Sequence, residues 1–424
     1  MAKIKPFRAF FYNPQKIPDI SKVVCPPYDV IDTTQQEFYY NLSPYNMIRL
    51  ILTKDIPGED KYTKAAEYFR CWLDEQILIQ DETSCIYFYL QEYKIKGEKK
   101  TRLGFISLLN LDENQRIFSH EHTKIEPKED RFRLLEAVKA NLSPIFVLFK
   151  DKHRLLARLY EQYISQHQPF VQLNDGVGIL HKVWRIDDPS LLDFVQKSIM
   201  DTDIFIADGH HRYEVAITYR RYQREKEGIS ESVQRDYDYI MTYFTNIESR
   251  GLSILPVHRL VKDINLSDEA FKNKLKEYFE LEEIREKHSF LLYLQKAGLR
   301  RPVLGLYKNK RYFILYLKSF TILDNIMKDK PGHYRRLGIS ILNHLILKET
   351  LSIDAEDKEK VYFDIDIDKL IVQANEDKNS AVFLLNPIKI EEIIAIASEG
   401  FCLPPKSTYF YPKVISGLVI NKFK

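Results

Sequence analysis

The stretch IFIADGHHRYE, residues 204–214, decides how this chain folds. Residues 204–207 are apolar and predict a short buried strand, and Asp208-Gly209 is a dipeptide typical of tight turns. From Val215 onward, apolar and aromatic residues recur on one helical face and charged residues on another, which predicts a helix directly after the turn. A strand, a glycine turn and a helix N-terminus form an anion site, because backbone N–H groups and the positive end of the helix dipole face the same gap.

Two interpretations of this turn stay open on spacing alone. In the first, the Gly209 and His210 amides bind a phosphate together with His211 and Arg212, because an arginine fork suits bidentate phosphate contact. In the second, Asp208 caps the helix and Gly209 supplies a left-handed turn. The two histidines and the arginine are then solvated residues of the first helical turn.

Composition limits the classes of function. The 424 residues are too many for one typical core, so two or three domains are expected. The charges, 63 basic against 60 acidic, nearly balance and predict neither a nucleic-acid partner nor a membrane surface. No apolar run approaches the roughly 20 residues that span a bilayer, and no signal-peptide core is evident. Four scattered cysteines favour reduced thiols and a cytoplasmic protein.

Helical and strand-like segments alternate along the chain, which predicts a mixed α/β fold. A shift in composition near Asp263 predicts an N-terminal region, 1–262, and a C-terminal α/β region, 263–424. The predicted helices are about 61–79, 129–141, 153–166, 189–200, 267–279, 338–350 and 388–398. The predicted strands are 86–93, 102–109, 145–149, 204–207, 237–244, a hairpin within 302–317, and 381–385.

Two carboxylates outside the central turn are candidates for chemistry. Asp29 follows a double proline in Cys25–Asp29 and is either an acid, base or ligand on a rigid backbone or the side chain of an ordinary turn. Glu121 lies between His120 and His122, and a loop could bring it or a histidine to the phosphate turn. A metal site here would need a third ligand from elsewhere, since the HExxH spacing is absent.

Three basic segments are further candidates for anion contacts. Arg131 and its neighbour Arg133 lie on a predicted helix, where solvated surface charges are the default interpretation. The pair His258-Arg259 follows a proline, although a structural histidine is the commoner case. The segment 406–408, Lys-Ser-Thr, offers a cation and two hydroxyls but lacks the glycines of a P-loop. Its alternative interpretation is a strand entry with the lysine lying over aromatic residues.

The order of the motifs resembles the family called domain of unknown function 1015 over nearly the full length. The turn itself is similar to that of the ParB/sulfiredoxin superfamily, in which sulfiredoxins carry Gly-Cys-His-Arg-Tyr and free-serine kinases Asp-Gly-His-Thr-Arg. This resemblance implies a ParB/sulfiredoxin-like core with large insertions and a second C-terminal α/β region whose last strand segment returns to the site. The motifs are Cys25–Asp29, Ser43–Asn46, His120-Glu121, Asp130-Arg131, Ala207–Tyr213, Pro256–Arg259 and Lys406–Lys413.

By the same resemblance, the chain is a nucleotide-dependent phosphotransferase acting on L-serine or O-phosphoserine in serine biosynthesis. ATP or ADP is the implied cofactor, and Mg²⁺ is implied by the chemistry alone. Sulfinic-acid reduction is rejected, because a histidine stands where sulfiredoxins have their reactive cysteine. The expected catalytic residues are Asp208, His210, Glu121 and Asp29, and the expected phosphate or nucleotide contacts are Gly209, His211, Arg212, Lys406, Ser407, His258 and Arg259.

Two other classes of function stay open at this stage. A metal-dependent phosphoesterase would use His120, His122, His210 and Asp208 as ligands and would need no nucleotide. A ParB-like regulator would bind nucleotide without turnover, and the absence of a recognisable helix-turn-helix speaks against its DNA-binding form. The sequence predicts a small-molecule substrate and a nucleotide as partners and does not indicate the oligomeric state.

Overall fold

The computed structural model describes residues 2–112, 115–121, 125–230 and 232–424. Its strands are numbered here in chain order. They are β1 Ile4–Lys5, β2 Phe10–Tyr12, β3 Leu78–Gln80, β4 Ile86–Ile95, β5 Glu98–Asn110, β6 Ile117–Phe118, β7 Ala140–Asn141, β8 Ile145–Phe149, β9 Val171–Asn174, β10 Leu180–Ile186, β11 Ile204–Asp208, β12 Tyr239–Asn246, β13 Ser253–Pro256, β14 His258–Val261, β15 Phe279–Ile284, β16 Val303–Lys308, β17 Arg311–Leu317, β18 Val361–Asp364, β19 Ala381–Leu384, β20 Thr408–Tyr411 and β21 Asn421–Lys422.

The α-helices are numbered in the same way. They are α1 Thr33–Leu42, α2 Ile48–Ile51, α3 Lys61–Asp74, α4 Ile125–Val138, α5 Leu155–Gln162, α6 Pro189–Met200, α7 His210–Glu227, α8 Asp268–Tyr278, α9 Lys287–Gly298, α10 Thr321–Ile326, α11 Gly332–Arg335, α12 Gly338–Ile341, α13 Ile367–Glu376 and α14 Ile390–Ser398. A π-helical segment, Leu342–Thr350, continues α12. Among the described residues, no helix has the length and apolar character needed to cross a membrane.

The chain forms two compact units. The first unit comprises Met1–Ser119, Thr123–Ser253 and Pro412–Lys424, and the second comprises His120–His122 and Ile254–Tyr411. The C-terminal segment is integrated into the first unit through β21, which pairs with β7. Both units combine helices with sheets, so the mixed α/β class predicted from the sequence is confirmed.

The first unit is built on a nine-stranded mixed sheet with the order β6-β11-β8-β12-β5-β4-β10-β9, in which β1 also pairs with β5. The β6–β11 and β8–β12 pairs are parallel, and the other pairs are antiparallel. The predicted hairpin of β4 and β5 turns at Lys96 and Gly97, whose φ angles of 49° and 83° suit a tight two-residue turn. Every residue of β8 is buried, which explains its uninterrupted apolar sequence.

The second unit is built on a six-stranded antiparallel sheet with the order β15-β17-β16-β19-β14-β18. Helices α9 and α13 contribute Phe290, Leu294 and Leu370 to one core with strand residues such as Ile314 and Val382. The predicted hairpin at 302–317 is confirmed as β16 and β17. A separate two-stranded sheet joins β13 to β20.

Several predicted boundaries were wrong for local reasons. The helix predicted for 61–79 ends at Asp74, because Gln76 has a left-handed φ of 54° and residues 78–80 form β3. The helix predicted for 129–141 begins at Ile125 and ends at Val138, because Lys139 has a φ of 52°. The strands β9 and β10 were not predicted at all, although β10 is seven residues long.

Candidate functional site

The central turn has the predicted strand, turn and helix. Strand β11 ends at Asp208, Gly209 has a φ of 92°, and α7 begins at His210 and continues for 18 residues. The capping position of α7 is Gly209, which has no side chain to bond the first amides of the helix. The backbone and the dipole of this helix therefore offer an anion site at the end of β11.

A β-bulge in β11 directly precedes Asp208. Along β11 the register with β8 shifts between Ile206, which faces Val147, and Asp208, which faces Phe146. Ala207 is therefore an extra residue in the strand. Bulges of this kind are common beside active sites, where they redirect a side chain.

Asp208 forms ion pairs with two cations. Its Oδ2 accepts from Arg212 Nη2 at 3.0 Å, and its Oδ1 pairs with the ammonium group of Lys413. Burial alone would raise the pKa of Asp208, but the charges of Lys413 and Arg212 outweigh burial and lower it to about 2. The carboxylate is therefore ionised at neutral pH, and it is a weak proton acceptor.

Lys413 is held in place by two buried polar residues of the sheet. Gln91 on β4 donates from Nε2 to the carbonyl oxygen of Lys413 at 3.0 Å. Arg102, its cross-strand partner on β5, donates from Nη2 to the carbonyl of Pro412 at 2.6 Å. The guanidinium of Arg102 is completely buried and lies 4.6 Å from the ring centroid of Phe146. These contacts fix the backbone from which the lysine side chain reaches the turn.

Arg212 folds back over Gly209. Its Nη1 donates to the carbonyl of Pro144 at 2.5 Å, and its Nη2 binds Asp208. A Cβ at position 209 would lie 3.0 Å from Arg212 Nη2, so only glycine leaves ordinary room for this arrangement. The Nε donor of Arg212 is buried and has no hydrogen-bond partner among the described residues. A buried donor without a partner beside a helix N-terminus is what a missing anionic ligand would leave.

The two histidines of the turn differ in environment. His210 is 4% exposed, whereas His211 is half-buried. Burial lowers the pKa of the His210 imidazole to about 4, against the opposing effect of Asp208. His210 is therefore neutral at pH 7 and can accept a hydrogen bond, but it does not add a charge to the site.

A cavity of about 70 Å³ lies beside the turn within the first unit. Tyr28, Arg131, Ser143 and Arg212 contribute to its polar wall. The prediction that Arg131 is a solvated surface charge was wrong, because it is only 8% exposed and lies over the ring of Tyr28. The double-proline motif and the central turn are thus neighbours. Asp29 follows Tyr28 in a short 3₁₀ turn and is exposed.

The second unit brings together other predicted residues. The Lys406 N–H donates to Glu121 Oε1 at 3.3 Å, and Glu121 forms a parallel bridge with Leu403. Lys406 is exposed and has a left-handed φ of 57°, a strained conformation for a residue other than glycine. The Ser407 hydroxyl is turned inward and donates to the carbonyl of Pro404. His120 packs against Phe410 with ring centroids 6.0 Å apart.

His258 and Arg259 are buried and bind the backbone of the second unit. His258 Nδ1 accepts from the Leu385 N–H at 3.1 Å, and burial lowers the pKa of this imidazole to about 4. Arg259 donates from Nη2 to the carbonyl of Lys406 at 2.9 Å, and burial lowers the pKa of its guanidinium to about 9. Arg259 therefore holds the backbone of Lys406 in place through this hydrogen bond.

The described residues contain no group of three or more His, Cys, Asp or Glu side chains arranged to hold a metal ion. His122, one of the four ligands considered for a phosphoesterase, lies outside the described residues. Both oxygens of Asp208 contact cations rather than facing an open coordination position. The four cysteines are free thiols, and burial raises the pKa of Cys25 well above its usual range.

The sequence matches the family described as "Protein of unknown function (DUF1015)" over residues 4–313. The chain belongs to the DUF1015 family. The predicted family is therefore confirmed over residues 4–313, and the Lys406–Lys413 motif lies outside the matched range. A search of curated proteins found no significant match.

Distant similarity links this DUF1015 protein to several solved structures. A conserved hypothetical protein from Pyrococcus furiosus is 12% identical, with 74% of this chain and 95% of that chain covered and a TM-score of 0.35. A free serine kinase in complex with AMP is 13% identical, with coverages of 74% and 91% and a TM-score of 0.37. SbnI from Staphylococcus aureus, with a C-terminal truncation, is 12% identical, with coverages of 74% and 87% and a TM-score of 0.35.

Sequence reasoning missed several residues of the site in this DUF1015 protein. Lys413 ends the Lys406–Lys413 motif, but no role was predicted for it. For Gln91 and Arg102, only a place in the predicted hairpin was expected. One signal was available, since a buried strand that carries both a glutamine and an arginine needs partners for them. The identity of those partners, 310 or more positions away, was not predictable from the sequence.

Proposed function

We propose that this protein is a nucleotide-dependent phosphotransferase with a ParB/sulfiredoxin-like core, and that its substrate pair is L-serine and O-phosphoserine. The observation that carries the proposal is the turn from Asp208 to Arg212. It combines a helix N-terminus without a side-chain cap, two cations paired to one carboxylate, and a buried arginine donor without a described partner. Phosphoryl transfer depends on such fixed positive groups more than on covalent chemistry.

Each residue of the turn has a distinct proposed role. The first-turn amides of α7 and the Arg212 guanidinium bind a phosphate, and Lys413 supplies further positive charge. Asp208, with its pKa near 2, orients these two cations and is poorly suited to accept the substrate's proton. His210, which is neutral at pH 7, serves as an uncharged acceptor. Asp29 and Glu121 remain rival candidates for the base.

The proposed cofactor is ATP or ADP, bound through its terminal phosphates at the α7 N-terminus. A nucleotide would supply the phosphate oxygens that this cluster of donors can bind, and Mg²⁺ would accompany it as it does in other phosphoryl transfers. The described residues assign no protein ligand to that metal. Lys406, Ser407, His258 and Arg259 remain predicted contacts for the nucleotide or substrate.

Incubation with O-phospho-L-serine, with and without ADP, tests the proposal when serine, ATP and free phosphate are measured together. Transfer moves the phosphoryl group from the serine oxygen to ADP, so serine and ATP should form in equal amounts with little free phosphate. The reverse mixture, L-serine with ATP, should give O-phosphoserine and ADP. Free phosphate released equally with and without ADP would instead identify a phosphoesterase, and no turnover in either direction would refute the proposal.

A further inference from the structure

The cavity beside the central turn has positive polar walls. Arg131 and Arg212 both line it, and its lining among the described residues includes no Asp or Glu. The acids that balance these arginines are absent from the described lining, although Arg131 donates from Nε, at 2.8 Å, and from Nη2 to Asp130, and Arg212 pairs with Asp208. Among the described lining residues, an anion inside the cavity would therefore meet two arginines and no carboxylate.

Arg131 is fixed in its position at the cavity wall. Its Nη1 donates to the carbonyl of Ile51 at 2.6 Å, and its guanidinium carbon lies 4.0 Å from the ring centroid of Tyr28. The Asp130 carboxylate that holds it also accepts from Tyr62 at 2.9 Å and pairs with Lys61 at 3.0 Å. A buried arginine restrained in this way loses little side-chain entropy when a ligand binds.

Tyr28 also lines the cavity, and its hydroxyl is an uncharged hydrogen-bond donor. Burial and the neighbouring Asp29 raise the pKa of the Tyr28 phenol, and the net result is a pKa of about 12. The hydroxyl is thus protonated at neutral pH. Arg131 and Arg212 oppose this shift.

The rest of the cavity is apolar and small. Leu134 on α4, Val215 on α7 and Ile240 on β12 are among its lining residues. A volume of about 70 Å³ is roughly five times what one water molecule requires in such a cavity. The space suits a few heavy atoms, far fewer than a nucleotide base with its sugar.

We propose that this cavity is the pocket for the carboxylate end of the substrate, with Arg131 and Tyr28 as the residues that bind the carboxylate. The inference rests on the proposed function, and it names the part of the small molecule that the phosphate turn does not hold. Each terminal nitrogen of Arg131 carries a second hydrogen beyond its bond to Asp130 or Ile51, and these hydrogens can be donated to a carboxylate. The apolar lining suits the carbon chain. Since no acid stands among the described residues that line the cavity, we place the ammonium group of an amino acid outside it.

Binding of three small probes to the full chain tests this assignment. L-serine carries both a carboxylate and an ammonium group, 3-hydroxypropanoate lacks the ammonium, and ethanolamine lacks the carboxylate. Ligand-observed NMR titrations, with and without ADP, give their dissociation constants. L-serine and 3-hydroxypropanoate should bind, and ethanolamine should bind at least ten-fold more weakly. Failure of both carboxylate probes to bind, or equal binding of ethanolamine, would overturn the assignment.

Two pairs of variants locate the binding. Arg131→Gln removes the guanidinium group, and its matched control is Arg133→Gln, which changes an exposed arginine on the same helix. Val215→Phe fills the cavity without altering any charge, and its control is Val177→Phe at a residue that is 77% exposed. We expect Arg131→Gln and Val215→Phe each to weaken 3-hydroxypropanoate binding at least ten-fold, and both controls to leave it unchanged. Thermal melts establish that each variant is folded.

The outcomes separate this inference from the proposed function. Suppose that ADP binds and phosphoryl transfer occurs, but the affinity for 3-hydroxypropanoate is unchanged in both Arg131→Gln and Val215→Phe. The pocket assignment is then wrong and the proposed function stands. If carboxylate probes bind in a manner that depends on Arg131 and Val215 but neither ADP binding nor transfer is seen, the pocket is supported and the proposed function fails. Should Arg131→Gln not fold, Val215→Phe alone decides the question.

Discussion

At the scale of single residues, Asp208 is the charge on which the site depends. It lies between Lys413 and Arg212 with its side chain 11% exposed, and these cations keep its pKa near 2 although burial opposes this. Removal of one partner from a buried charge cluster leaves the other charges uncompensated. The pH dependence of stability should therefore report directly on this carboxylate.

Asp208→Asn should destabilise the first unit by about 3–5 kcal/mol at pH 7, because two buried cations lose their counterion. A carboxyl whose pKa is depressed in the folded state stabilises the protein above its unfolded pKa, and this contribution is lost as the pH falls through the folded pKa. The difference between the two proteins should thus shrink by about 1 kcal/mol between pH 7 and pH 3. Urea unfolding at both pH values measures it, with the exposed Asp29→Asn as control. A difference independent of pH would contradict this account.

Lys413→Met tests the cation that sequence reasoning missed. We expect phosphoryl transfer or ADP affinity to fall at least ten-fold, since a charge-assisted contact contributes about 1.5–3 kcal/mol. Lys422→Met, at an exposed lysine in the same C-terminal segment, is the matched control and should retain full affinity. Equal affinities of the two variants would remove Lys413 from the site.

At the scale of elements, α7 has a left-handed glycine at each end. Gly209 precedes it with a φ of 92°, and Gly228 follows it with a φ of 63°. The two positions differ in their surroundings, because a Cβ at 209 would meet Arg212 and Ile145 at 3.0 Å, whereas a Cβ at 228 would meet no atom of the described residues within 4 Å. A substitution at Gly228 therefore measures backbone strain alone, whereas one at Gly209 measures strain together with steric overlap.

Gly209→Ala should cost about 1–3 kcal/mol in stability and should also displace Arg212, so that phosphate binding is lost. Gly228→Ala carries the same kind of backbone strain, about 1 kcal/mol, and should leave ligand affinity unchanged. Calorimetric titration with ADP and urea unfolding of both variants give the comparison. Equal ADP affinity in Gly209→Ala and wild type would show that this turn does not contact the nucleotide.

Elements with a strong local signal were predictable from the sequence. Strand β8 and helix α6 occur at the predicted residues, because one is an apolar run and the other begins with Asp188 as a cap and Pro189 in the first turn. Strand β10 was missed, since its polar residues His181 and Lys182 hide the periodicity. The His181 ring is satisfied by Tyr89 at 2.6 Å and by Asp175 at 3.2 Å, partners that only the tertiary structure supplies.

At the scale of the whole molecule, the predicted site residues are divided between the two units. Asp29 and the residues from Asp208 to Arg212 belong to the first unit, whereas Glu121, Lys406, Ser407 and the His258-Arg259 pair belong to the second. The family resemblance predicts that the last strand segment returns to the site, and residues 412–424 belong to the first unit together with the central turn. This placement depends on contacts that are distant in sequence. Strand β21 pairs with β7, and Asn421 bonds Asn141, 280 positions away along the chain.

The assignment of Lys406 to the nucleotide stays a prediction, and it has a well-matched control. Lys406 and Lys310 are both exposed lysines with left-handed φ angles, of 57° and 61°. We expect Lys406→Ala to weaken ADP binding by about ten-fold, or 1.4 kcal/mol, and Lys310→Ala to have no effect. Identical affinities for both variants would restrict Lys406 to a structural role in its loop.

The central claim is that the turn from Asp208 to Arg212 binds the phosphates of a nucleotide. The most direct measurement is a calorimetric titration of ADP into the wild-type protein and into Arg212→Ala, with the exposed Arg221→Ala on the same helix as control. The account predicts that Arg212→Ala weakens binding by about 1.5–3 kcal/mol and that Arg221→Ala binds like the wild type. Unchanged affinity in a folded Arg212→Ala protein would contradict the claim and reduce the motif to a helix cap.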